Sequence, residues 1–184
     1  MFVSLRQHSG GGNMPKDITH SRLAVHLADV PETILVPAAH LSGGAVGAQI
    51  VYGSDMSLMI ATRQPGYHSK PHVHDCEQLN YVLQGELLVF IGDKGFLVRQ
   101  GDAFRVPRNV VHWSWVRGDV PSILLESHAP PLIGDPGFDR TATSLIDAEE
   151  NVEPSARIGS NWPRDFDREA AEAVIFSVHP YLKA

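Results

Sequence analysis

The sequence predicts an all-β chain, a single barrel or sandwich of short strands, followed by an irregular, partly helical C-terminal extension. Three observations point there. Between residues 30 and 128, short apolar runs alternate with turn residues, the pattern of a many-stranded antiparallel domain. The chain carries 16 glycines and 13 prolines, a turn-rich composition. Its 184 residues fit one domain and can bury a sizeable core without disulfide staples.

Residues 1–20 read as a flexible lead-in with few apolar anchors, broken by Gly10-Gly11-Gly12. No apolar run there has the length of a signal peptide, so a cytoplasmic location is expected, with the true start at either Met1 or Met14. Strands are expected over Thr33–Val36, Val46–Tyr52, Ser57–Arg63, Gln78–Gln84, Glu86–Ile91, Gly95–Arg99, Ala103–Val106, Val111–Arg117 and Ser122–Ser127. Gly53-Ser54-Asp55, Pro65-Gly66, Gly101-Asp102 and Pro107-Arg108-Asn109 punctuate them. Gly92-Asp93, between Ile91 and Lys94, fits a type II′ hairpin turn with glycine in its first, positive-φ position.

The texture changes after Ala129. Residues 129–138 are rich in Pro and Gly, and Asp147, Glu149, Glu150 and Glu153 make an acidic stretch that reads as a solvated wrap. A short helix is expected over Asp165–Phe176, capped by Asp165 and favoured by Ala170, Ala171 and Ala173. The expected organisation is therefore a lead-in at 1–20, a barrel at 21–128 with its motif-bearing part at 45–128, and an extension at 129–184 wrapping the barrel.

Composition excludes several function classes. The net charge is −6, which argues against a nucleic-acid binder that works by neutralising phosphates. No run approaches the about 18 apolar residues of a membrane helix, so no membrane partner is expected. A single cysteine, Cys76, excludes both an internal disulfide and an all-cysteine metal site; a buried, inert thiol is expected. There is no G-x-S-x-G elbow, P-loop, G-x-G-x-x-G or H-E-x-x-H run.

What stands out is the ten histidines, and among them His72 and His74. Residues two apart on a strand point to one face, so both imidazoles can enter one space, and Gln78 shares their parity. His112 follows the Pro107-Arg108-Asn109 turn at the start of a later strand. Imidazole is a common ligand for transition metals, and three such nitrogens from neighbouring strands make a facial set. A His-x-His pair on its own is more often a surface feature of a β-protein, so the surrounding pattern decides.

That pattern resembles the cupin superfamily. The first cupin motif, G-x5-H-x-H-x3,4-E-x6-G, is matched in every spacing by Gly66, His72, His74, Gln78 and Gly85. The second, G-x5-P-x-G-x2-H-x3-N, is matched by Gly101, Pro107 and His112, with Asn109 at the second glycine and Val116 at the final asparagine. Asn tolerates positive φ, so the turn survives the exchange. The resemblance covers about residues 45–128 and implies a double-stranded β-helix, the jelly-roll or cupin barrel. It also implies one divalent transition metal (Fe, Mn, Ni, Zn or Cu) held by His72, His74, Gln78 and His112. In an alternative register Glu77 replaces Gln78 as the fourth ligand; Gln78 keeps both motif spacings. Glutamine in place of the usual glutamate leaves the centre one positive charge higher, which favours an anionic or enolate-like ligand. Four protein ligands on a six-coordinate metal leave two cis positions for a substrate, or for substrate and O₂ together.

Other residues are assigned bland roles. His68 reads as a rim residue. Tyr81 falls on the outer face. Trp113 and Trp115 lie opposite His112 and are expected to pack between sheets or in a dimer interface. Tyr52, Met56, Met59 and Ile60 read as core or pocket lining, and Arg63 and Arg105 as possible anchors for a substrate carboxylate. The expected function is that of a metal-dependent small-molecule enzyme, an oxidoreductase of dioxygenase type acting on a small organic or aromatic substrate, working as a homodimer. The alternatives are a metal-dependent isomerase or lyase acting on a sugar or keto-acid, and a non-catalytic ligand-binding barrel. No catalytic residue is assigned at this level.

Overall fold

The computed structural model describes residues 24–34, 46–131, 143–145, 163 and 165–183. Among these residues ten strands run in chain order: β1 (Thr33–Ile34), β2 (Val46–Tyr52), β3 (Ser57–Arg63), β4 (Glu77–Gln84), β5 (Glu86–Ile91), β6 (Lys94–Arg99), β7 (Ala103–Val106), β8 (His112–Trp115), β9 (Ser122–Ala129) and β10 (Thr143–Ser144). A helix, α1 (Arg168–Val178), and a short 3₁₀ turn at Pro180–Lys183 follow.

The strands form two sheets that face each other, as a jelly roll requires. The larger has the order β1-β2-β3-β9-β4-β7, with β10 added parallel to β2; the smaller is β6-β5-β8. Between β3 and β4 the chain runs alongside β8, with bridges His68–Trp115 and His72–His112. The fold is all-β and of jelly-roll type, as the sequence predicts. Strand β10 was not expected; at two residues it is too short to leave a periodic signal.

Strand parity explains the core. Val46, Ala48 and Ile50 of β2, Met59 and Ala61 of β3, Val82 of β4 and Leu124 of β9 point inward and meet Leu87, Val89 and Val98 of the smaller sheet. Strand β5 is apolar without alternation because both its faces are covered. Leu87 and Val89 face the barrel, whereas Leu88 and Phe90 join Trp113, Ile175, Phe176 and Leu182 in a second cluster under α1.

The helix begins later than expected. Asp167, not Asp165, is its N-cap, accepting a hydrogen bond from the Ala170 amide at 2.9 Å. Phe166 packs on Trp113 with ring centroids 5.3 Å apart, which anchors the chain just ahead of the cap. Phe166 and Ala171 flank the cap as a hydrophobic staple against the same cluster. The acidic stretch at 147–153 and residues 35–36 of the first expected strand lie outside the described residues.

The turns carry the motif glycines. Gly92 has φ 61°, and Asp93 has no positive φ, as a type II′ turn requires. Asn109, which replaces a motif glycine, adopts φ 59°. Gly85 has φ 74°, and a Cβ there would sit 2.5 Å from the Pro121 carbonyl oxygen. Gly85→Ala is therefore expected to cost at least about 2 kcal/mol, backbone strain and collision together, read as a lowered urea midpoint. A midpoint equal to wild type contradicts this account.

Candidate metal centre

The site is built on two backbone segments that pair. His72 donates its amide to the His112 carbonyl at 3.0 Å and His112 returns the bond at 2.9 Å. The flanking pairs extend the register: Val116 N–H to the Tyr67 carbonyl at 2.8 Å, Ser69 N–H to the Ser114 carbonyl at 3.0 Å and Asn109 N–H to the His74 carbonyl at 2.8 Å. The result is convergence. The ligating nitrogens of His72, His74 and His112 lie within 4.8 Å of one another, with His74 and His112 buried and His72 half-buried.

The backbone also sets which nitrogen each ring presents. His72 Nδ1 is 2.8 Å from the Lys70 carbonyl and His112 Nδ1 is 3.0 Å from the Val110 carbonyl. A carbonyl only accepts, so Nδ1 carries the proton and Nε2 keeps its lone pair. Burial pushes His72 below its usual value and His74 and His112 well below it. The neighbouring imidazoles add to the effect on His74 and His112. All three rings are thereby held neutral, the form that binds a metal.

Gln78 is buried on the inner face of β4, 6% exposed. Its Nε2 donates to Asn80 Oδ1 at 2.8 Å and to Glu126 Oε2 at 2.9 Å. Its Oε1 is buried and has no hydrogen-bond partner among the described residues. An orphaned carbonyl oxygen is costly unless something occupies it, and amide oxygen is a competent metal donor. The three-histidine cluster therefore fits a divalent cation: the imidazoles are neutral, and those of His72 and His112 have their second nitrogens held by carbonyls. Glu77, the alternative fourth ligand, sits on the other face of β4, where it pairs with Arg105 at 2.7 Å among exposed side chains.

Residues 59–128 match the family model of the cupin domain. The barrel is a cupin domain. The solved structures it resembles include an RmlC-like cupin from Shewanella frigidimarina NCIMB 400, 20% identical over 58% of this chain and 88% of the other, with a TM-score of 0.50. A cupin-superfamily sugar phosphate isomerase from Silicibacter pomeroyi DSS-3 is 18% identical over 58% of this chain and 74% of the other, also at 0.50. Both likenesses are of fold. No curated protein matches the chain.

Inside this cupin barrel stand polar residues that motif reading does not single out. Glu126 and His128 of β9 are each 1% exposed, and Asn80 of β4 is 3% exposed. Arg63 of β3 pairs with Glu126 at 2.5 Å and lies over the Tyr67 ring at 5.5 Å. Burial alone lowers Arg63, but Glu126 and Tyr67 together hold it above its usual value. Burial pushes His128 down to about 4, and its ring lies 6.1 Å from that of His74. A signal was present in the sequence: each of these residues has the inward parity of Ala61, Val82 or Leu124 on its own strand.

Other expected roles differ. His68 is not on a rim; it is buried on the outer side of its segment, 2.7 Å from Glu172 of α1 and stacked on Trp115 at 4.4 Å. Trp113 is covered by α1 rather than by a second sheet or subunit, and its Nε1 donates to Glu172 at 2.7 Å. Met56 is 51% exposed, whereas Met59 is core. Cys76 is buried and its thiol is pushed up to about 12 by burial, so it stays protonated and inert.

The imidazoles predict a pH dependence for the metal-free protein. Each has a folded-state pKa below the unfolded value of about 6.5, so between that value and about 4 the unfolded chain binds more protons than the folded one. Their contribution to stability is complete above about pH 6.5 and is lost as pH falls through this window. Urea midpoints of chelator-treated protein should drop from about pH 7 to pH 5; a level midpoint contradicts the buried-neutral assignment.

Proposed function

We propose that this chain is a metal-dependent small-molecule enzyme, with one divalent transition metal held by His72, His74, His112 and Gln78, and that it catalyses a dioxygenase-like oxidation of a small organic or aromatic substrate. The observation that carries the reading is the convergence of three neutral imidazoles whose ligand nitrogens lie within 4.8 Å of one another; Gln78 is added because its buried amide oxygen has no hydrogen-bond partner among the described residues. A bound metal supplies Lewis acidity and, if it is iron, redox chemistry. The chain's own residues supply the rest. The carbonyls of Lys70 and Val110 fix the rings of His72 and His112, and the buried polar groups of Asn80, Glu126 and His128 line the interior. With no carboxylate among the four ligands, the centre favours an anionic or enolate-like substrate.

A second reading is a metal-dependent isomerase or lyase. It is favoured by His128, a neutral buried imidazole beside the cluster and a candidate for holding a transferred proton. Oxygen uptake with a panel of phenolic and diketone substrates separates the two: uptake supports the oxidation, and turnover without uptake supports the second. Binding without turnover leaves a ligand-binding cupin.

His112→Ala should lose the bound metal and activity while circular dichroism retains the β signature. Elemental analysis of protein purified without added metal checks the first part. A fully active variant removes the metal mechanism.

We also propose pairing with a second copy through the outer face of the larger sheet, in the reducing cytoplasm that suits a lone thiol. Leu79, Tyr81 and Leu83 project from β4 and remain exposed. Leu79 and Tyr81 border a groove of about 460 Å³ lined also by Leu58 and Leu125. Light scattering should give twice the chain mass, and Leu79→Lys with Tyr81→Asp should return it to one; a wild-type monomer contradicts the pairing.

A further inference from the structure

We infer that Glu126, held by Arg63, is the positioning residue of the metal centre: it turns the Gln78 amide so that Oε1 is the end available to the metal, and it strengthens that oxygen as a donor. The inference rests on the metal reading above and adds two residues to it.

An amide side chain has two similar ends, and nothing intrinsic to glutamine decides which end meets a metal. Here the neighbours decide. Gln78 Nε2 lies 2.9 Å from Glu126 Oε2, and a charged carboxylate can only accept, so the end facing it must be NH₂. Asn80 Oδ1 at 2.8 Å takes the second hydrogen. Both hydrogens of the amide are thus committed, and Oε1 is left as the sole remaining donor atom of the side chain, without a hydrogen-bond partner among the described residues.

At 1% exposure the Glu126 carboxylate needs a countercharge, and Arg63 supplies it at 2.5 Å. The same ion pair holds Glu126 back, and it is not among the residues whose ligand atoms converge. Hydrogen bonding to an anion also polarises the amide and moves electron density onto its oxygen. The Glu126 carboxylate, on the neighbouring strand β9, thus acts through the glutamine.

The test is Co²⁺ binding to the purified full chain, read by affinity and by the visible absorption of the bound ion, with folding checked by circular dichroism. Glu126→Gln, a near-isosteric change, should weaken Co²⁺ by about 10- to 100-fold and alter the spectrum. In a Gln78→Ala background there is no amide to orient, so adding Glu126→Gln should change affinity by less than about twofold. Equal losses in both backgrounds, or no loss in either, overturn the role of Glu126. If wild type and His72→Ala alike bind no Co²⁺, the metal reading fails and takes this inference with it. If wild type binds and only the Glu126 prediction fails, the metal centre stands alone. Should Glu126→Gln not fold, wild-type ¹⁵N spectra decide. The Gln78 side-chain NH₂ should exchange slowly and shift on adding Zn²⁺, and a fast-exchanging or unmoved signal overturns the proposal.

Discussion

Two backbone hydrogen bonds exchanged between His72 and His112 carry the arrangement. Residues that exchange both bonds of an antiparallel pair lie directly opposite, with side chains on one face. That pairing brings two imidazoles together from segments forty residues apart in the chain. The carbonyl two residues before each histidine then fixes its ring in the same way on both sides. A slip of one residue in the segment carrying His72 and His74 would send those two rings to the outer face and leave His112 alone in the interior.

The register is held from outside as well as within. The segment carrying His72 turns His68 outward, and α1 meets it there with Glu172, whose Oε1 also takes the Trp113 indole proton. Arg168, one turn earlier on the helix, donates to the Ser69 carbonyl at 3.1 Å. The C-terminal helix therefore grips the ligand-bearing segment and β8 at once. Its apolar contacts with Phe90 and Trp113 seat it, and its polar contacts select the register it can seat on.

Much of this was legible in the sequence because the signals are local. Glycine and asparagine turns mark the strand ends, parity within a strand marks the faces, and the spacings of His72, His74 and His112 mark three rings that converge. What was not legible depends on strand order. Arg63 meets Glu126 because β3 lies against β9, and Glu126 meets Gln78 because β9 also lies against β4. Neither adjacency follows chain order. Parity rightly put Trp113 opposite His112, but the partner on that face is a helix whose Glu172 lies 59 residues later, a distance over which pattern carries no information. The helix start was displaced for a local reason: two aspartates compete for the cap, and the packing of Phe166 decides between them.

The interior divides along its length. At one end, the row Ser57–His128–Gln78 and the next, Met59–Glu126–Asn80, are polar but for Met59. One step further, Ala61–Leu124–Val82 is apolar, and the barrel continues as Leu87, Val89 and Val98. Burial of apolar area stabilises a fold, whereas a buried ion pair such as Arg63–Glu126 at best offsets its own desolvation, and a packed apolar pair would serve stability as well. The polar rows are thus not what holds the barrel closed. The apolar half closes it, and this leaves the other half free to keep groups whose cost only a ligand could offset.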